Sequence, residues 1–69
     1  MTIQEKTGKR LKELRNEKGL SQEALGYEAQ IHRTYINDVE NGRRNISINT
    51  LEKIVNALGI NLSQFFEGL

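Results

Sequence analysis

The sequence predicts an all-α fold of five short helices, packed as one domain over residues 1–69. Apolar residues recur at helical spacing, most regularly between positions 48 and 58. Capping residues such as Ser21 and Ser47 divide the chain into segments of helix length. The chain contains no proline to break a helix and no cysteine for a disulfide. Its stability must therefore come from helix packing.

The first two helices are predicted over residues 3–18 and 22–29. Gly19 provides a left-handed end for the first helix. Ser21 is the N-cap of the second, because its hydroxyl can accept a backbone N–H of the first turn. Gly26 costs this helix about 1 kcal/mol relative to alanine, which indicates a close approach between two helices.

The third helix is predicted over residues 33–41, with His32 as its N-cap and Gly42 just beyond its end. The connection before it, residues 30–32, is too short to let the second and third helices run parallel. Residues 21–42 are therefore interpreted as one helix-turn-helix unit.

The fourth and fifth helices are predicted over residues 48–58 and 62–67. Ser47 caps the fourth, and Asn61 caps the fifth with Gln64 at the capping-box position. The chain end carries more large apolar side chains than so short a helix can bury, which indicates contact with another chain. These side chains are Leu62, Phe65, Phe66 and Leu69.

The third helix carries four side chains that contribute little to a core: Arg33, Thr34, Tyr35 and Asn37. They are most simply explained as readers of a DNA groove. The planar fork of Arg33 matches guanine O6 and N7 together, although a phosphate contact is the alternative. Thr34 offers a hydroxyl and a methyl group to bases. Tyr35 either contacts DNA or forms a partly buried wall.

Charge and composition leave few other functions open. The net charge of +1 is a weak signal, but basic residues cluster over positions 3–18 and again at Arg33, Arg43 and Arg44. A solvated helix face is the alternative explanation of the first cluster. One histidine and no cysteine argue against a metal site, and no set of residues suggests catalysis. No apolar run is long enough for a membrane helix.

Three segments resemble the phage Cro/repressor (XRE) helix-turn-helix family, from Arg10 to Phe66: RLKELRNEKGLSQEALG, RTYINDVENGRRN and TLEKIVNALGINLSQFF. The run HRTYI followed by ENGRRNIS most resembles the small controller proteins of restriction–modification systems. The resemblance implies a compact lambda-repressor-like domain. It also implies a homodimer, with the region around residues 47–67 serving dimerisation.

The family pattern also implies roles for individual residues. Gln22 is expected to contact a DNA phosphate, and a helix start attracts anions in general. The segment Arg43, Arg44 and Asn45 is expected to clamp the DNA backbone. Arg15 and Glu40 are expected to form a partly buried salt bridge. Gln30 stands where the family often has glycine, so a left-handed backbone would cost it about 1 kcal/mol.

The function expected from this resemblance is sequence-specific binding of double-stranded DNA by a homodimeric transcriptional regulator. Its operator would be pseudo-palindromic, with half-sites about 34 Å apart. RNA polymerase is a further candidate partner, through an acidic surface formed by Glu23, Glu28 or Glu40. We expect a cytoplasmic protein, bacterial or phage-encoded, with no cofactor and no small-molecule ligand. The expected dimer contacts are Ile48, Asn49, Leu62, Phe65 and Leu69.

A protein-interaction module of the same fold, such as an antitoxin or accessory subunit, is the alternative. The modest net charge favours it. The two functions differ in salt dependence, because DNA binding predicts a steep fall of affinity with salt. An enzyme would need a pocket with perturbed acids, and the sequence suggests none.

Overall fold

A computed structural model describes residues 1–69 and contains five α-helices and no strand. Every helix begins at the residue that the sequence predicts, and the ends agree within one residue. The five-helix, all-α prediction is confirmed. None of these helices is both long and apolar enough to cross a membrane. The helices are α1 (Ile3–Glu17), α2 (Gln22–Ala29), α3 (Arg33–Glu40), α4 (Ile48–Ala57) and α5 (Leu62–Glu67).

Side-chain caps explain why the helix starts could be read from the sequence. The Ser21 hydroxyl accepts the backbone N–H of Ala24 at 2.9 Å, as expected of an N-cap. The Nδ1 atom of His32 accepts the backbone N–H of Thr34 at 3.0 Å. Thr2 and Glu5 form a capping box at the start of α1, which was not predicted from the sequence. The hydrogen bonds from Thr2, chiefly from its backbone N–H, lower the pKa of the exposed Glu5 carboxyl.

The core lies between the helices and contains eleven buried apolar residues. Ile36 and Val39 of α3 belong to this core, and their burial fixes the orientation of α3. The polar residues of α3 are consequently directed to the opposite side. The core residues are Leu11, Leu14, Leu25, Ala29, Ile36, Val39, Leu51, Ile54, Val55, Leu58 and Phe65.

The expected role of Phe65 in a dimer interface is wrong, because its side chain has no exposed area. Arg10 of α1 donates to the backbone carbonyls of Gln64 and Phe65, both at 3.0 Å. These bonds hold α5 against α1 with Phe65 turned into the core. Phe66, the next residue, is 42% exposed and meets the Phe65 ring edge to face at 5.5 Å.

Two glycines allow close approach around α3. A Cβ atom on Gly26 would overlap the carbonyl oxygen of Ile31, which confirms the packing reason expected for this glycine. A Cβ atom on Gly8 would overlap the carbonyl oxygen of Val39, so α1 and α3 touch along their backbones. In the turn, Gln30 has the left-handed backbone anticipated above, with φ 58°.

We expect Gly8→Ala to destabilise the domain by about 2 kcal/mol, since the added methyl group forces α1 away from α3. Helix propensity alone would give a gain of about 1 kcal/mol. Urea unfolding at one fixed protein concentration measures the difference. Gly59→Ala is the comparison, because no atom lies within 4 Å of the added Cβ atom and only the left-handed backbone, with φ +77°, should cost about 1 kcal/mol. A Gly8→Ala protein as stable as wild type would contradict the close contact.

Candidate nucleic-acid interface

The first turns of α2 and α3 meet at one polar surface. Gln22, Arg33, Thr34 and Asn37 line a hollow of about 250 Å³ that contains no apolar side chain. The sequence assigned Gln22 to the DNA backbone and the other three residues to base edges. The structure brings all four together, because the turn between the two helices is only three residues long. We call this surface the α2–α3 hollow.

Arg33 projects from the start of α3 and is largely exposed. Its Nη1 atom lies 3.3 Å from Oε2 of Glu23, and the two side chains are 65% and 77% exposed. An ion pair this open to solvent stabilises a protein by no more than about 1 kcal/mol. Arg33 can therefore leave Glu23 at little cost. The sequence reading did not pair these residues, since they come together only across the turn.

Tyr35 and the residues after α3 form a second cluster beside the hollow. Tyr35 packs partly buried against the core, and the guanidinium carbon of Arg44 lies 4.6 Å from its ring centre. Arg43 and Arg44 approach Asp38 at 3.8 and 3.6 Å. Asp38 therefore faces arginines of its own chain. The side chains of both arginines remain exposed next to α3.

Asn45 is anchored from the first helix. The Nε2 atom of Gln4 donates to Oδ1 of Asn45. This contact connects the loop after α3 to the start of α1. The residues expected to bind the DNA backbone therefore lie on a loop that is held at both ends. The second anchor is the capped start of α4, where the Ser47 hydroxyl accepts the backbone N–H of Thr50.

The salt bridge expected between Arg15 and Glu40 is present and almost completely buried. Nε of Arg15 lies 2.6 Å from Oε2 of Glu40, and Nη2 lies 3.0 Å from Oε1. Nη1 donates to the carbonyl of Leu20 at 2.7 Å. The Glu40 side chain is only 2% exposed. Glu40 therefore cannot form part of an acidic surface for RNA polymerase, and that expectation is wrong.

A chain of side-chain amides, not anticipated from the sequence, leads from this salt bridge to the hollow. Nε2 of Gln22 donates to Oε1 of Glu40 at 3.1 Å. Oε1 of Gln22 accepts from Nδ2 of Asn37 at 3.2 Å. Oδ1 of Asn37 lies 3.3 Å from Nδ2 of Asn41. The interior charge and the outward polar surface thus belong to one hydrogen-bonded network, which we call the amide chain.

The region expected to bind a second subunit is partly exposed and apolar. Ile48 is 62% and Leu69 is 42% exposed, Asn49 is exposed, and Leu62 packs partly buried on the core. The sequence reading missed one contributor to this region. Ile3 is 61% exposed and lines a shallow hollow of about 200 Å³ together with Ile48 and Phe66.

Comparison with known proteins gives consistent results. The profile of a family described as helix-turn-helix matches residues 11–65. The control protein C.MunI of a Mycoplasma species is 48% identical over 63 residues, which cover 90% of this chain and 85% of that protein.

Solved structures match equally well. The restriction–modification controller protein C.AhdI from Aeromonas hydrophila is 43% identical with a TM-score of 0.88, covering 91% of this chain and 96% of that one. The controller protein C.Esp1396I has been solved as a tetramer with its natural 35 base-pair operator. It is 37% identical with a TM-score of 0.91, covering 97% of this chain and 88% of that one.

We expect Arg15→Met to cost about 3–5 kcal/mol of unfolding free energy, because it leaves the Glu40 carboxylate buried without a counter-charge. Arg33→Met is the matched control, since it removes an exposed pair and should cost less than about 1 kcal/mol. Urea unfolding monitored by circular dichroism compares the two variants. Equal, small losses in both would show that the buried pair contributes little.

Proposed function

We propose that this chain, which belongs to the helix-turn-helix family, is a sequence-specific DNA-binding transcriptional regulator acting as a homodimer. The observation that carries the proposal is the α2–α3 hollow, where the capped starts of two short helices present only polar side chains. A recognition helix of this kind enters the major groove with its N-terminal residues toward base edges.

Direct readout is assigned to Arg33 and Thr34, with Asn37 one turn further along α3. Arg33 can exchange its weak contact with Glu23 for two hydrogen bonds to guanine O6 and N7. The nearby Glu23 carboxylate repels phosphates. Where the duplex offers Arg33 no guanine, a contact between Arg33 and the DNA backbone therefore contributes less binding free energy. Tyr35 supports this surface from the side, partly buried and stacked with Arg44.

Backbone contacts are assigned to residues on both sides of the recognition helix. Gln22 stands at the start of α2, where unpaired backbone N–H groups favour a phosphate. Arg43, Arg44 and Asn45 are exposed on the loop after α3. Such contacts set the position of the protein on the duplex and carry no sequence information.

The homodimer is proposed to form through the exposed apolar residues of the last two helices and the chain start. Ile3, Ile48 and Phe66 line one shallow hollow there. Asn49, Leu62 and Leu69 are the other residues assigned to the interface. A second copy of the chain that covers this apolar patch also supplies the second recognition helix. Two half-sites about one helical turn apart would then be read together.

The relatives suggest the regulated system. C.MunI is a control protein, and C.AhdI and C.Esp1396I are restriction–modification controller proteins. We extend that role to this chain as the most specific version of the proposed function. Its operator would then lie in a restriction–modification operon. If it activates transcription, Glu23 and Glu28 are the exposed acids on α2 that RNA polymerase would meet.

Arg33→Ala is expected to weaken binding to the preferred duplex by about 5- to 150-fold, because a bidentate arginine–guanine contact contributes about 1–3 kcal/mol of discrimination. Preference for guanine at one position in each half-site should disappear. Fluorescence anisotropy on the preferred duplex and on single-base variants measures both effects. Unchanged affinity and unchanged base preference would exclude Arg33 from readout.

Arg43→Ala is the comparison for backbone contact. It should weaken binding to every duplex by a similar factor and lower the slope of log affinity against log salt by about one. Base preferences should stay as in wild type. No salt-dependent DNA affinity in the wild-type protein would instead favour the protein-interaction module.

Ile48→Asp is expected to weaken dimerisation at least tenfold, because it places a charge in an apolar contact while the exposed site leaves the fold intact. Sedimentation velocity over a range of concentrations measures the dimer fraction. Tyr27→Asp, at an exposed aromatic residue on α2, is the matched control and should dimerise normally. The reverse result would place the interface on α2.

A further inference from the structure

We infer that Gln22 is a positioning residue. Its amide, oriented by the buried Glu40 carboxylate, in turn orients the amide of Asn37, so that Asn37 recognises adenine and no other base. This inference rests on the proposed DNA-binding function. It adds a specificity role for Gln22, which the family pattern treats only as a phosphate contact.

The polarity originates at Glu40. An ionised carboxylate only accepts hydrogen bonds, and both Glu40 oxygens are occupied by Arg15. Oε1 also accepts from Gln22 at 3.1 Å, and the Glu40 side chain is 2% exposed. If Gln22 were flipped, its carbonyl oxygen would face a buried carboxylate. One orientation of the Gln22 amide is therefore strongly favoured.

Gln22 passes this orientation to Asn37. With its NH₂ group turned toward Glu40, Gln22 presents its carbonyl oxygen to α3. That oxygen accepts from Nδ2 of Asn37 at 3.2 Å. A flipped Asn37 would place two carbonyl oxygens together and lose this bond. Asn37 is thus held with its NH₂ group toward Gln22 and its Oδ1 on the other side.

The fixed orientation leaves Asn37 with one free N–H and one free lone pair on its carbonyl oxygen, after the longer contact with Asn41. Adenine presents the complementary pair in the major groove, an acceptor at N7 and a donor at N6. Guanine presents two acceptors, so its O6 would meet the Asn37 oxygen. An amide free to flip could still offer its NH₂ group to guanine.

Asn37 lies four residues after Arg33 on α3, so the two side chains share a face and both line the α2–α3 hollow. The adenine should therefore be a near neighbour of the guanine assigned to Arg33. In this arrangement Arg33 reads through its own fixed fork, whereas Asn37 depends on Gln22 for its orientation. The two readouts should respond differently when Gln22 is changed.

The test compares wild type, Gln22→Leu, Asn37→Ala and the double variant. Binding sites are first selected from random duplexes with wild type, and affinities are then measured on every single-base variant of the preferred half-site. Wild type should prefer adenine at one position by about tenfold. Asn37→Ala should abolish that preference. Gln22→Leu should reduce it below about threefold at the same position while the Arg33-dependent guanine preference persists.

The double variant should lose no more adenine preference than Asn37→Ala alone, since both changes act on one readout. Asn45→Ala is the control for a polar residue outside the amide chain. It should lower affinity for all duplexes alike and leave the adenine preference intact. This contrast separates positioning from a simple phosphate contact of Gln22.

Three results would overturn the inference while leaving DNA binding in place. These results are a full adenine preference in Gln22→Leu, an unchanged adenine preference in Asn37→Ala, and a wild-type preference for another base at the Asn37-dependent position. Failure of wild type to select any sequence would instead overturn the proposed function. If circular dichroism shows Gln22→Leu to be unfolded, Gln22→Asn replaces it, with an amide too short to span both partners and the same expected loss.

Discussion

The buried ion pair between Arg15 and Glu40 is the interaction on which the rest of the structure depends. It joins α1 to α3 through two hydrogen bonds, and a third bond from Arg15 holds the carbonyl of Leu20 before α2. Burying two charges is costly unless their hydrogen-bonding groups are satisfied. Here that condition is met, and no buried side-chain nitrogen or oxygen lacks a partner.

The same pair connects fold to function because α3 serves both. Ile36 and Val39 point into the core, whereas Arg33 and Asn37 line the α2–α3 hollow. Glu40 lies at the end of this helix and fixes its position against α1. A helix of eight residues has little stability of its own. Its presentation to DNA therefore depends on tertiary contacts with α1 and α2.

The sequence predicted the helix starts well because they depend on local capping, which a few neighbouring residues determine. It wrongly placed Phe65 rather than Phe66 at the dimer interface, since a helix of six residues is too short for periodicity to define one buried face. The hydrogen bonds from Arg10, 55 residues away from Phe65, settle that choice. The Arg15–Glu40 pair came from family resemblance alone, because charges so far apart in sequence carry no local signal.

The candidate site shows the same division. The exposed polar residues of α3 could be found from their poor fit to a core. Their contacts could not, because the Gln22–Asn37 and Glu23–Arg33 distances depend on the angle between α2 and α3. That angle is set by the close contact at Gly26 and by the left-handed turn at Gln30. Side-chain types predicted the chemistry, and tertiary geometry determined the partners.

Hydroxyl-radical footprinting of the wild-type protein on its preferred duplex tests the central claim most directly. Two recognition helices held in one dimer should protect two patches about ten base pairs apart on one face of the DNA. A single protected patch, or uniform weak protection with no preferred position, would contradict a dimer that reads paired half-sites.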